Sequence, residues 1–295
     1  MASVTKMHGL GNDFVIGYLK NFKWCITQLS NIAVEICDRH KGIGADGLIL
    51  YDFDDDNNPT MSIWNSDGSE AEMCGNGIRC LAYHLYDLKL VQSESFKIKT
   101  KAGFKEVFVD TKTKIDDSKK FVKVKTVNVG VVMGFPEFLA SKIPVKTDEE
   151  FFIDKEINVL DRTFKVSAVS MGNPHAVIFV DSDFSSEDFY KYGPAIEKHE
   201  LFPKFTNVEF VNYKNPHEFS VRVWERGAGE TLACGTGACA VYAVACRLEK
   251  TSLYADIHLP GGTLRISTGK NGVIQMTGSA TEVFSTKIEL PFEDL

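Results

Sequence analysis

The sequence predicts a mixed α/β protein made of two similar halves. The chain has 295 residues, which is enough for two domains of ordinary size. Short strand patterns and helical patterns alternate along most of its length. A stretch that begins at Trp64 also recurs at Trp224. Together these observations predict two copies of one α/β unit.

Composition and charge are those of an ordinary globular protein. Hydrophobic residues make up 44% of the chain, and 33 basic against 40 acidic residues give a net charge of -7. An acidic chain without a Lys/Arg block lacks the charge that draws proteins to phosphate backbones or anionic lipids. We therefore expect no nucleic-acid partner and no membrane partner. The longest apolar run, residues 238–246, is also far too short to span a bilayer.

The cysteines indicate a reducing environment. There are 7 of them, an odd number, and the first residues resemble neither a secretion signal nor a transit peptide. We expect reduced thiols in a cytoplasmic protein. Their spacing does not fit a zinc site, so no metal is expected. Most are interpreted as small apolar packing residues, namely Cys25, Cys37, Cys80, Cys239 and Cys246.

The local patterns place strands and helices in both halves. Strands are predicted at residues 12–18, 47–51, 104–109, 121–127, 163–170, 176–180 and 219–224, and helices at residues 29–40, 78–90, 186–199 and 238–248. The polar stretch 111–120 is interpreted as a solvated hairpin loop and as the boundary between the halves. Residues 42–47 match GxGxxG, but a strand pattern follows them, so we interpret them as a tight turn rather than a dinucleotide site.

The internal repeat is the most informative feature. Residues 64–77, WNSDGSEAEMCGNG, align without a gap on residues 224–237, WERGAGETLACGTG. Tryptophan, glutamate, cysteine and two glycines are identical, and the pair uses two of only 3 tryptophans in the chain. A second, shorter match pairs Gly11-Asn12 with Gly172-Asn173, at nearly the same distance along the sequence as the first. The repeat predicts matched functional loops in the two halves.

Each repeated loop ends in Cys-Gly-x-Gly and opens an apolar helical run. Glycines at a helix start leave backbone N–H groups open to a ligand, and the positive end of the helix dipole favours an anion such as a carboxylate. The same field favours a thiolate over a thiol. Cys74 and Cys234 are therefore predicted to be reactive thiols.

Two matched thiols suit one particular chemistry, the inversion of a carbon that bears hydrogen. One thiol removes the proton from one face, and the other delivers a proton to the opposite face. Near-attack distances of about 3 to 3.5 Å would separate the sulfurs by about 6 to 7 Å across a cleft between the halves. Like-charge repulsion would let the pair share one proton. Two helix N-termini facing a substrate carboxylate would stabilise the carbanion without a pyridoxal cofactor.

Several motifs together resemble a known family. They are HGLGNDF at 8–14, NSDGSE at 65–70, CGNG at 74–77, GNPH at 172–175, NVEF at 207–210, ERGAGET at 225–231 and CGTG at 234–237. The chain resembles the diaminopimelate epimerase family, cofactor-independent isomerases of lysine and peptidoglycan-precursor synthesis. The resemblance implies two pseudo-symmetric α+β domains, each a curled, mainly antiparallel sheet around a central helix, with the active site in the cleft between them. It implies domains of residues 1–120 plus 280–295, with Cys74, and 121–279, with Cys234.

The resemblance also implies roles for individual residues. Cys74 and Cys234 would be the acid/base thiols, with His175 beside the first and Glu225 beside the second. Substrate would be held by Asn12, Asn65, Gly75, Asn76, Asn173, Asn207, Arg226, Gly235 and Thr236. A small-molecule amino-acid substrate, diaminopimelate, is implied, and no cofactor. From the residues alone, the histidine and asparagines are also compatible with ordinary turns, and Glu225 and Arg226 with a surface pair.

Some alternatives stay open at this point. Family members can place a substrate-contacting glutamine at the position of Gly47, where this chain has no side chain. A proline or hydroxyproline racemase-like enzyme would also use paired thiols. A protein regulated by a disulfide between Cys74 and Cys234 belongs to a different functional class. The sequence leaves open which thiol attacks which stereoisomer and whether the chain forms a homodimer.

Overall fold

The structure is a computed structural model that describes residues 1–112 and 124–290, without the side chains of residues 23–25 and 270. The strands in the described residues are β1 (Ala2–Gly9), β2 (Asn12–Tyr18), β3 (Gly47–Phe53), β4 (Pro59–Asn65), β5 (Glu70–Ala71), β6 (Ser95–Thr100), β7 (Gly103–Asp110), β8 (Lys125–Gly134), β9 (Lys155–Val159), β10 (Arg162–Ser170), β11 (Pro174–Val180), β12 (Asn207–Asn215), β13 (Glu218–Glu225), β14 (Gly229–Thr231), β15 (Tyr254–Leu259), β16 (Gly262–Thr268) and β17 (Ile274–Ile288). The α-helices are α1 (Leu29–Cys37), α2 (Gly75–Asp87), α3 (Ser186–Glu197) and α4 (Gly235–Arg247). The mixed α+β class predicted from the sequence is confirmed.

The chain divides into two compact units. The first unit comprises Met1–Val131 and Thr277–Leu295, and the second comprises Val132–Met276. The loop predicted at residues 111–120 and the start of the strand predicted at 121–127 fall largely in residues 113–123, outside the described residues. The packing role predicted for Cys25 also lies outside the described side chains. The predicted division near residue 120 therefore stays a prediction.

In the first unit the strands close into a ring around α2. Neighbouring strands follow the order β1, β2, β3, β4, β6, β7, β8 and β17, and β17 pairs again with β1. The pairs β2–β3 and β4–β6 are parallel, and the other pairs with a defined register are antiparallel. Helix α2 packs against β1, β2, β3 and β7, and all its residues from Asn76 to Leu85 are buried. A helix surrounded by strands needs apolar residues on most of its circumference, as its sequence predicted.

The second unit repeats the same pairing order. Strands β10, β11, β12, β13, β15 and β16 pair in that sequence, again with two parallel pairs, β11–β12 and β13–β15. Helix α4 packs against β10, β11, β12, β15 and β16, and all its residues from Gly237 to Ala245 are buried. The equivalent hairpins pair Trp64 with Glu70 and Trp224 with Glu230. The repeat in the sequence is therefore a repeat in topology and register.

Side chains cap the backbone at two helix ends, of which the end of α1 differs from its predicted position and the start of α3 agrees with it. Helix α1 ends at Cys37 rather than residue 40, and the carboxylate of Asp38 accepts the N–H groups of His40 and Lys41. Helix α3 begins after Ser185, whose side chain forms a reciprocal capping box with Asp188.

Residues 42–47 form the predicted turn, and Gly44 adopts a φ of 79° that favours glycine. No α-helix in the described parts of the chain has the length and apolar character needed to cross a membrane.

Candidate active site

Both predicted thiols are N-caps of the central helices. Cys74 precedes α2 and Cys234 precedes α4, each with an extended backbone conformation. The N–H of Gly77 donates to Sγ of Cys74 at 3.5 Å, and the N–H of Gly237 donates to Sγ of Cys234 at 3.3 Å. An N-cap side chain normally offers an oxygen to these unpaired N–H groups. Here sulfur accepts them, and the helix field therefore favours its negative form.

The glycine three residues after each cysteine is required by close packing. A Cβ at Gly77 would lie 2.9 Å from Cδ1 of Ile49. A Cβ at Gly237 would lie 2.8 Å from Oε1 of Glu209 and 3.2 Å from Sγ of Cys234. The second glycine of each Cys-Gly-x-Gly motif therefore lets a strand residue approach the first turn of the helix.

Around Cys74, two predicted binding asparagines form one hydrogen-bonded group with the thiol. The Cys74 thiol contacts Oδ1 of Asn12 at 3.7 Å, and Nδ2 of Asn76 donates to the same oxygen at 3.0 Å. Nδ2 of Asn12 donates to Asp46 at 2.7 Å. The orientation of the Asn12 amide is therefore fixed from both sides. Gly75 lies beside this group in the first turn of α2.

A cluster of four charges lies behind Asn12. Lys6 and Arg39 both pair with Asp13, and Arg39 also pairs with Asp46. Burial opposes ionisation of Asp13, but hydrogen bonds from Arg39 and Lys6 lower the pKa of its carboxyl to about 2. The two carboxylates of the cluster are thus matched by two cations.

A buried arginine supports the first turn of α2. Arg79 is 0% exposed, and its guanidinium donates to Oδ1 of Asn76 at 2.9 Å, to the Gly75 carbonyl at 3.3 Å and to the Ser279 carbonyl at 3.4 Å. These bonds hold the residues that follow Cys74. A buried cation at this place also adds to the positive potential of the helix N-terminus.

Asn65 stands apart from this group in its contacts. It is exposed at the end of β4, and its Nδ2 donates to Oγ of Ser69 at 2.9 Å. The neighbouring N–H of Ser66 donates to the carbonyl of Asp46, which places Asn65 near the Asn12 cluster. Its predicted role in substrate binding stays a prediction.

The environment of Cys234 is buried and acidic. Burial and the nearby carboxylates of Glu225 and Glu209 raise the pKa of the Cys234 thiol well above its usual value. The hydroxyl of Thr236, a predicted binding residue that follows Gly235, lies 3.5 Å from the sulfur. The thiol form of Cys234 is therefore strongly favoured in this structure.

Glu225, the predicted partner of Cys234, is itself perturbed. Burial raises the pKa of its carboxyl, while hydrogen bonds from Thr231 and Cys234 and the charge of His175 act in the opposite direction. Thr231 donates to Oε1 of Glu225 at 2.5 Å. Glu225 and Cys234 are thus in hydrogen-bonding contact, while their predicted acid/base roles stay a prediction.

His175 lies in the second unit and is hydrogen-bonded to a fully buried Glu209 and a half-buried Asn173. Its Nδ1 lies 2.7 Å from Oε1 of Glu209, and both side chains are 0% exposed. Its Nε2 lies 2.9 Å from Oδ1 of Asn173, another predicted binding residue. The predicted pairing of His175 with Cys74, which is in the first unit, stays a prediction.

Asn207 and Arg226 are linked, but through the backbone. The buried amide of Asn207 donates to the Pro174 carbonyl and accepts the N–H of Arg226, both at 2.9 Å. The exposed side chain of Arg226 donates to the carbonyl of Lys204 at 3.2 Å. Both ends of the Asn207 amide are therefore hydrogen-bonded to backbone groups, and one of these bonds holds the backbone of Arg226 in position.

Sequence reasoning missed two residues of this region, Glu209 and Arg79. Each is a charge inside an apolar stretch, in the strand segment Val208–Val211 and at the start of α2. Oε2 of Glu209 is a buried side-chain atom without a hydrogen-bond partner among the described residues. Both residues could have been identified from the sequence by one signal, a charged side chain at a strand or helix position that the pattern assigns to the core.

The remaining cysteines behave largely as predicted. Cys37, Cys80 and Cys239 are buried, which confirms their packing role, while Cys246 is half-buried. Burial raises the pKa of Cys37 to about 11 and that of Cys80 to about 12. Neither thiol is prepared for acid/base chemistry near neutral pH.

Gly47 has no room for a side chain in this structure. A Cβ at Gly47 would lie 2.7 Å from the carbonyl oxygen of Trp64. A glutamine would require this part of β3 and β4 to move apart.

Comparisons with solved structures define the class of the fold. A phenazine biosynthesis protein of the PhzF family from Bacillus anthracis superposes with a TM-score of 0.66 at 17% identity, covering 98% of this chain and 99% of that chain. A probable proline racemase from Agrobacterium radiobacter K84 gives 0.65 at 12% identity, covering 100% and 94%. At such identities the likeness concerns the fold alone. The duplicated, helix-centred units thus place the chain in the fold class that these proteins share.

Sequence comparisons define the family within that class. The sequence profile of diaminopimelate epimerase matches residues 4–132 and 167–283. Proteins named diaminopimelate epimerase from Desulfitobacterium hafniense and Methanococcus maripaludis strain C5 are 42% and 43% identical to the chain. The alignments cover 95% and 97% of this chain, and 96% and 99% of those relatives. The chain belongs to the diaminopimelate epimerase family.

Proposed function

We propose that the chain is an isomerase that interconverts LL-2,6-diaminopimelate and meso-diaminopimelate without pyridoxal phosphate. The observation that supports this most strongly is the duplicated thiol N-cap, in which Cys74 and Cys234 accept the N–H groups of Gly77 and Gly237. Membership of the diaminopimelate epimerase family indicates diaminopimelate as the substrate. A cytoplasmic enzyme of lysine and peptidoglycan-precursor synthesis follows from this proposal.

In the proposed reaction the two thiols act on opposite faces of one α-carbon. One sulfur, as a thiolate, takes the α-proton, and the electron pair of the broken C–H bond remains on carbon. The other sulfur, as a thiol, gives its proton to the opposite face and becomes the thiolate. The product has inverted configuration, and the two sulfurs have exchanged their thiol and thiolate states. The reverse reaction uses the same groups with reversed roles.

The carbanion is stabilised through the substrate carboxylate. We propose that the N–H groups of Gly75 and Asn76 in α2, and of Gly235 and Thr236 in α4, hold that carboxylate. They belong to first helical turns, whose N–H groups have no partner within the helix. Stabilisation by the helix N-termini would increase as negative charge moves from the α-carbon towards the carboxylate.

The partner residues adjust the state of the thiols. Glu225 contacts Cys234, and its raised pKa brings the carboxyl closer to the range in which it can exchange a proton with sulfur. We propose that His175 serves Cys74 in the same way. Its buried bonds to Glu209 and Asn173 fix the ring orientation.

The distal amino-acid end of the substrate needs its own polar groups. We propose that Asn12, Asn65, Asn173 and Arg226 contact it and that Asn207 positions Arg226 through the backbone bond. A planar guanidinium suits the distal carboxylate, because it can form two parallel hydrogen bonds. Diaminopimelate has two zwitterionic ends and would use both sets of groups.

The proposal is tested by exchange of the substrate α-hydrogen with solvent deuterium, with purified protein and no added pyridoxal phosphate. We expect LL-diaminopimelate to be converted to the meso isomer with uptake of deuterium. Cys74→Ala and Cys234→Ala should each lose at least about 10²-fold in turnover, because each removes an acid/base group. Cys246→Ala, at the far end of α4, is the matched control and should retain activity.

The same assay separates the alternatives. Full turnover by either active-site variant would contradict the two-thiol mechanism. Racemisation of proline or hydroxyproline instead of diaminopimelate would favour the racemase-like alternative, which the solved structures support at the level of fold alone. A reversible change in thiol labelling with oxidant, without turnover of any amino acid, would favour the redox-regulated protein.

A further inference from the structure

A buried carboxylate of α3 holds the loop that carries Arg226. Glu197 is the last residue of α3, and it is 5% exposed. Its Oε2 accepts the indole N–H of Trp224 at 2.8 Å, and its Oε1 accepts the backbone N–H of Gly227 at 2.9 Å. One carboxylate therefore binds the chain on both sides of Glu225 and Arg226.

The turn of residues 225–228 has Arg226 near its centre. A backbone hydrogen bond of 3.1 Å closes this turn, and Gly227 adopts a φ of 76°, which favours glycine. The N–H of Arg226 donates to the side chain of Asn207, and the N–H of Gly227 donates to that of Glu197. Two successive backbone N–H groups of the turn are thus held by two buried side chains.

Helix α3 also fixes the residue that precedes the turn. A Cβ at Gly193 would lie 3.0 Å from Cδ2 of Trp224, so the indole ring lies directly on the helix. Gly193 and Glu197 are four residues apart and therefore share one face of α3. A glycine inside a helix is unfavourable, but here it allows the close approach of the ring. The indole is thus held by its face and by its N–H group.

The equivalent loop of the first unit is held in another way. Helices α1 and α3 each connect a parallel strand pair, β2–β3 and β11–β12. In the first unit the hydroxyl of Ser30, in α1, donates to the carbonyl of Gly68 at 2.7 Å. The position equivalent to Arg226 is Ser66 there. Hydrogen bonds to a carboxylate are stronger than those between neutral groups, so the loop with the guanidinium has the stronger restraint.

We propose that Glu197 is a positioning residue for substrate binding, which holds the turn of residues 225–228 so that Arg226 meets the distal carboxylate of the substrate. The inference rests on the proposed function, in which Arg226 binds that carboxylate. Glu197 acts through the backbone of the turn. Two parallel hydrogen bonds between a guanidinium and a carboxylate require a fixed geometry. A turn that spends part of its time in other conformations binds more weakly in proportion.

Glu197→Met tests the proposal through the kinetics of LL-diaminopimelate conversion. The variant keeps the length of the side chain and removes both acceptor oxygens. We expect KM to rise by about tenfold, as for a turn that is competent for about one tenth of the time. The change in kcat should be much smaller, because Glu225 is held independently by Thr231 and by strand pairing with Gly229.

Tyr192→Phe is the matched control on the same helix. It removes the hydrogen bond of 3.0 Å from the Tyr192 hydroxyl to Asp161 and keeps the buried ring. We expect it to lower the stability of the second unit and to leave KM unchanged. A general loosening of this unit would raise KM in both variants. An equal rise in KM for Tyr192→Phe and Glu197→Met would therefore overturn the positioning role.

Hydrogen exchange followed by mass spectrometry examines the turn without substrate. Peptides that contain residues 225–228 should exchange faster in Glu197→Met than in wild type or Tyr192→Phe, because the N–H of Gly227 loses its acceptor. Unchanged exchange would show that Glu197 does not hold the turn. The measurement needs no turnover. A protein that fails to epimerise diaminopimelate but shows faster exchange would refute the proposed function and leave the contact of Glu197 with the turn intact.

Glu197→Gln decides the question if Glu197→Met does not fold. Its amide has one oxygen for two N–H donors, and its NH₂ group faces the second donor. We expect KM and the exchange of the turn to rise, but less than in Glu197→Met. Wild-type values of both quantities in a folded variant would overturn the proposal. A loss of kcat at unchanged KM would also overturn it, since Glu197 would then affect the chemical step rather than binding.

Discussion

Nδ1 of His175 lies 2.7 Å from Oε1 of Glu209, and neither side chain is exposed to solvent. The two residues come from the parallel strands β11 and β12. Nε2 of His175 bonds Asn173, so both ring nitrogens are occupied. The orientation of the imidazole is therefore fixed by hydrogen-bonded groups on either side.

Removing the carboxylate should destabilise the second unit. Glu209→Ala leaves Nδ1 of His175 buried without its acceptor, which we expect to cost about 1–3 kcal/mol in the free energy of unfolding. Glu209→Gln retains an acceptor oxygen at the same place and should cost clearly less. Urea denaturation followed by far-ultraviolet circular dichroism compares the two variants. Equal losses would mean that the bond to His175 contributes little.

Burial of Glu225 predicts a specific dependence of stability on pH. Its pKa is raised in the folded state, so the folded protein binds that proton more tightly than the unfolded chain does. The resulting stabilisation is complete below the unfolded pKa and is lost as pH rises through the folded pKa. Relative to wild type, Glu225→Gln should therefore gain stability as the pH rises above the ordinary glutamate pKa of about 4.3. Thermal unfolding at a series of pH values measures the effect.

Two further measurements separate function from stability at this residue. Glu225→Gln should lower turnover by about 10²- to 10⁴-fold, because it removes a proposed acid/base partner. The control Glu218→Gln, at an exposed position, should change neither turnover nor the pH dependence of unfolding. A Glu225→Gln variant that loses stability relative to wild type as the pH rises would contradict a raised pKa.

The lowered pKa of Asp13, in the first unit, predicts the opposite dependence of stability on pH. Its pKa is lowered from 3.8 to about 2, so its contribution is present above the unfolded pKa and is lost as pH falls through the folded value. The shift corresponds to about 2 kcal/mol at neutral pH. We expect Asp13→Asn to be destabilised by that order at pH 7, with the difference from wild type shrinking between about pH 4 and pH 2. Acid unfolding curves of both proteins measure it, and parallel curves would contradict the prediction.

The sequence predicted the duplicated elements because their signals are local. The hairpins and the starts of α2 and α4 are encoded by glycines, a cysteine cap and an apolar helical run within a few residues. The contact of His175 with Glu209 was not predicted, because it depends on the register of a parallel strand pair. Arg79 was missed because arginine is rarely fully buried, so a helical pattern places it on a solvated face.

The glycines at positions 77 and 237 provide a matched comparison of the two thiol sites. A Cβ at Gly77 would press on Cδ1 of Ile49, the end of an apolar side chain that can rotate. A Cβ at Gly237 would lie 2.8 Å from Oε1 of Glu209, which His175 holds in place. Overpacking of a fixed group costs about 1–3 kcal/mol, whereas a terminal methyl group adjusts at lower cost.

Gly237→Ala should therefore be the more harmful substitution. We expect it to lower the thermal midpoint further than Gly77→Ala and to displace Glu209 from His175, which would change the chemical shifts of the His175 ring nitrogens. The ¹⁵N spectrum of histidine-labelled protein reports that displacement directly, and the buried ring of His84 in the first unit serves as an internal reference. If Gly77→Ala caused the larger loss, or if Gly237→Ala left the His175 resonances in place, then Glu209 would not be the group that makes glycine necessary at the start of α4.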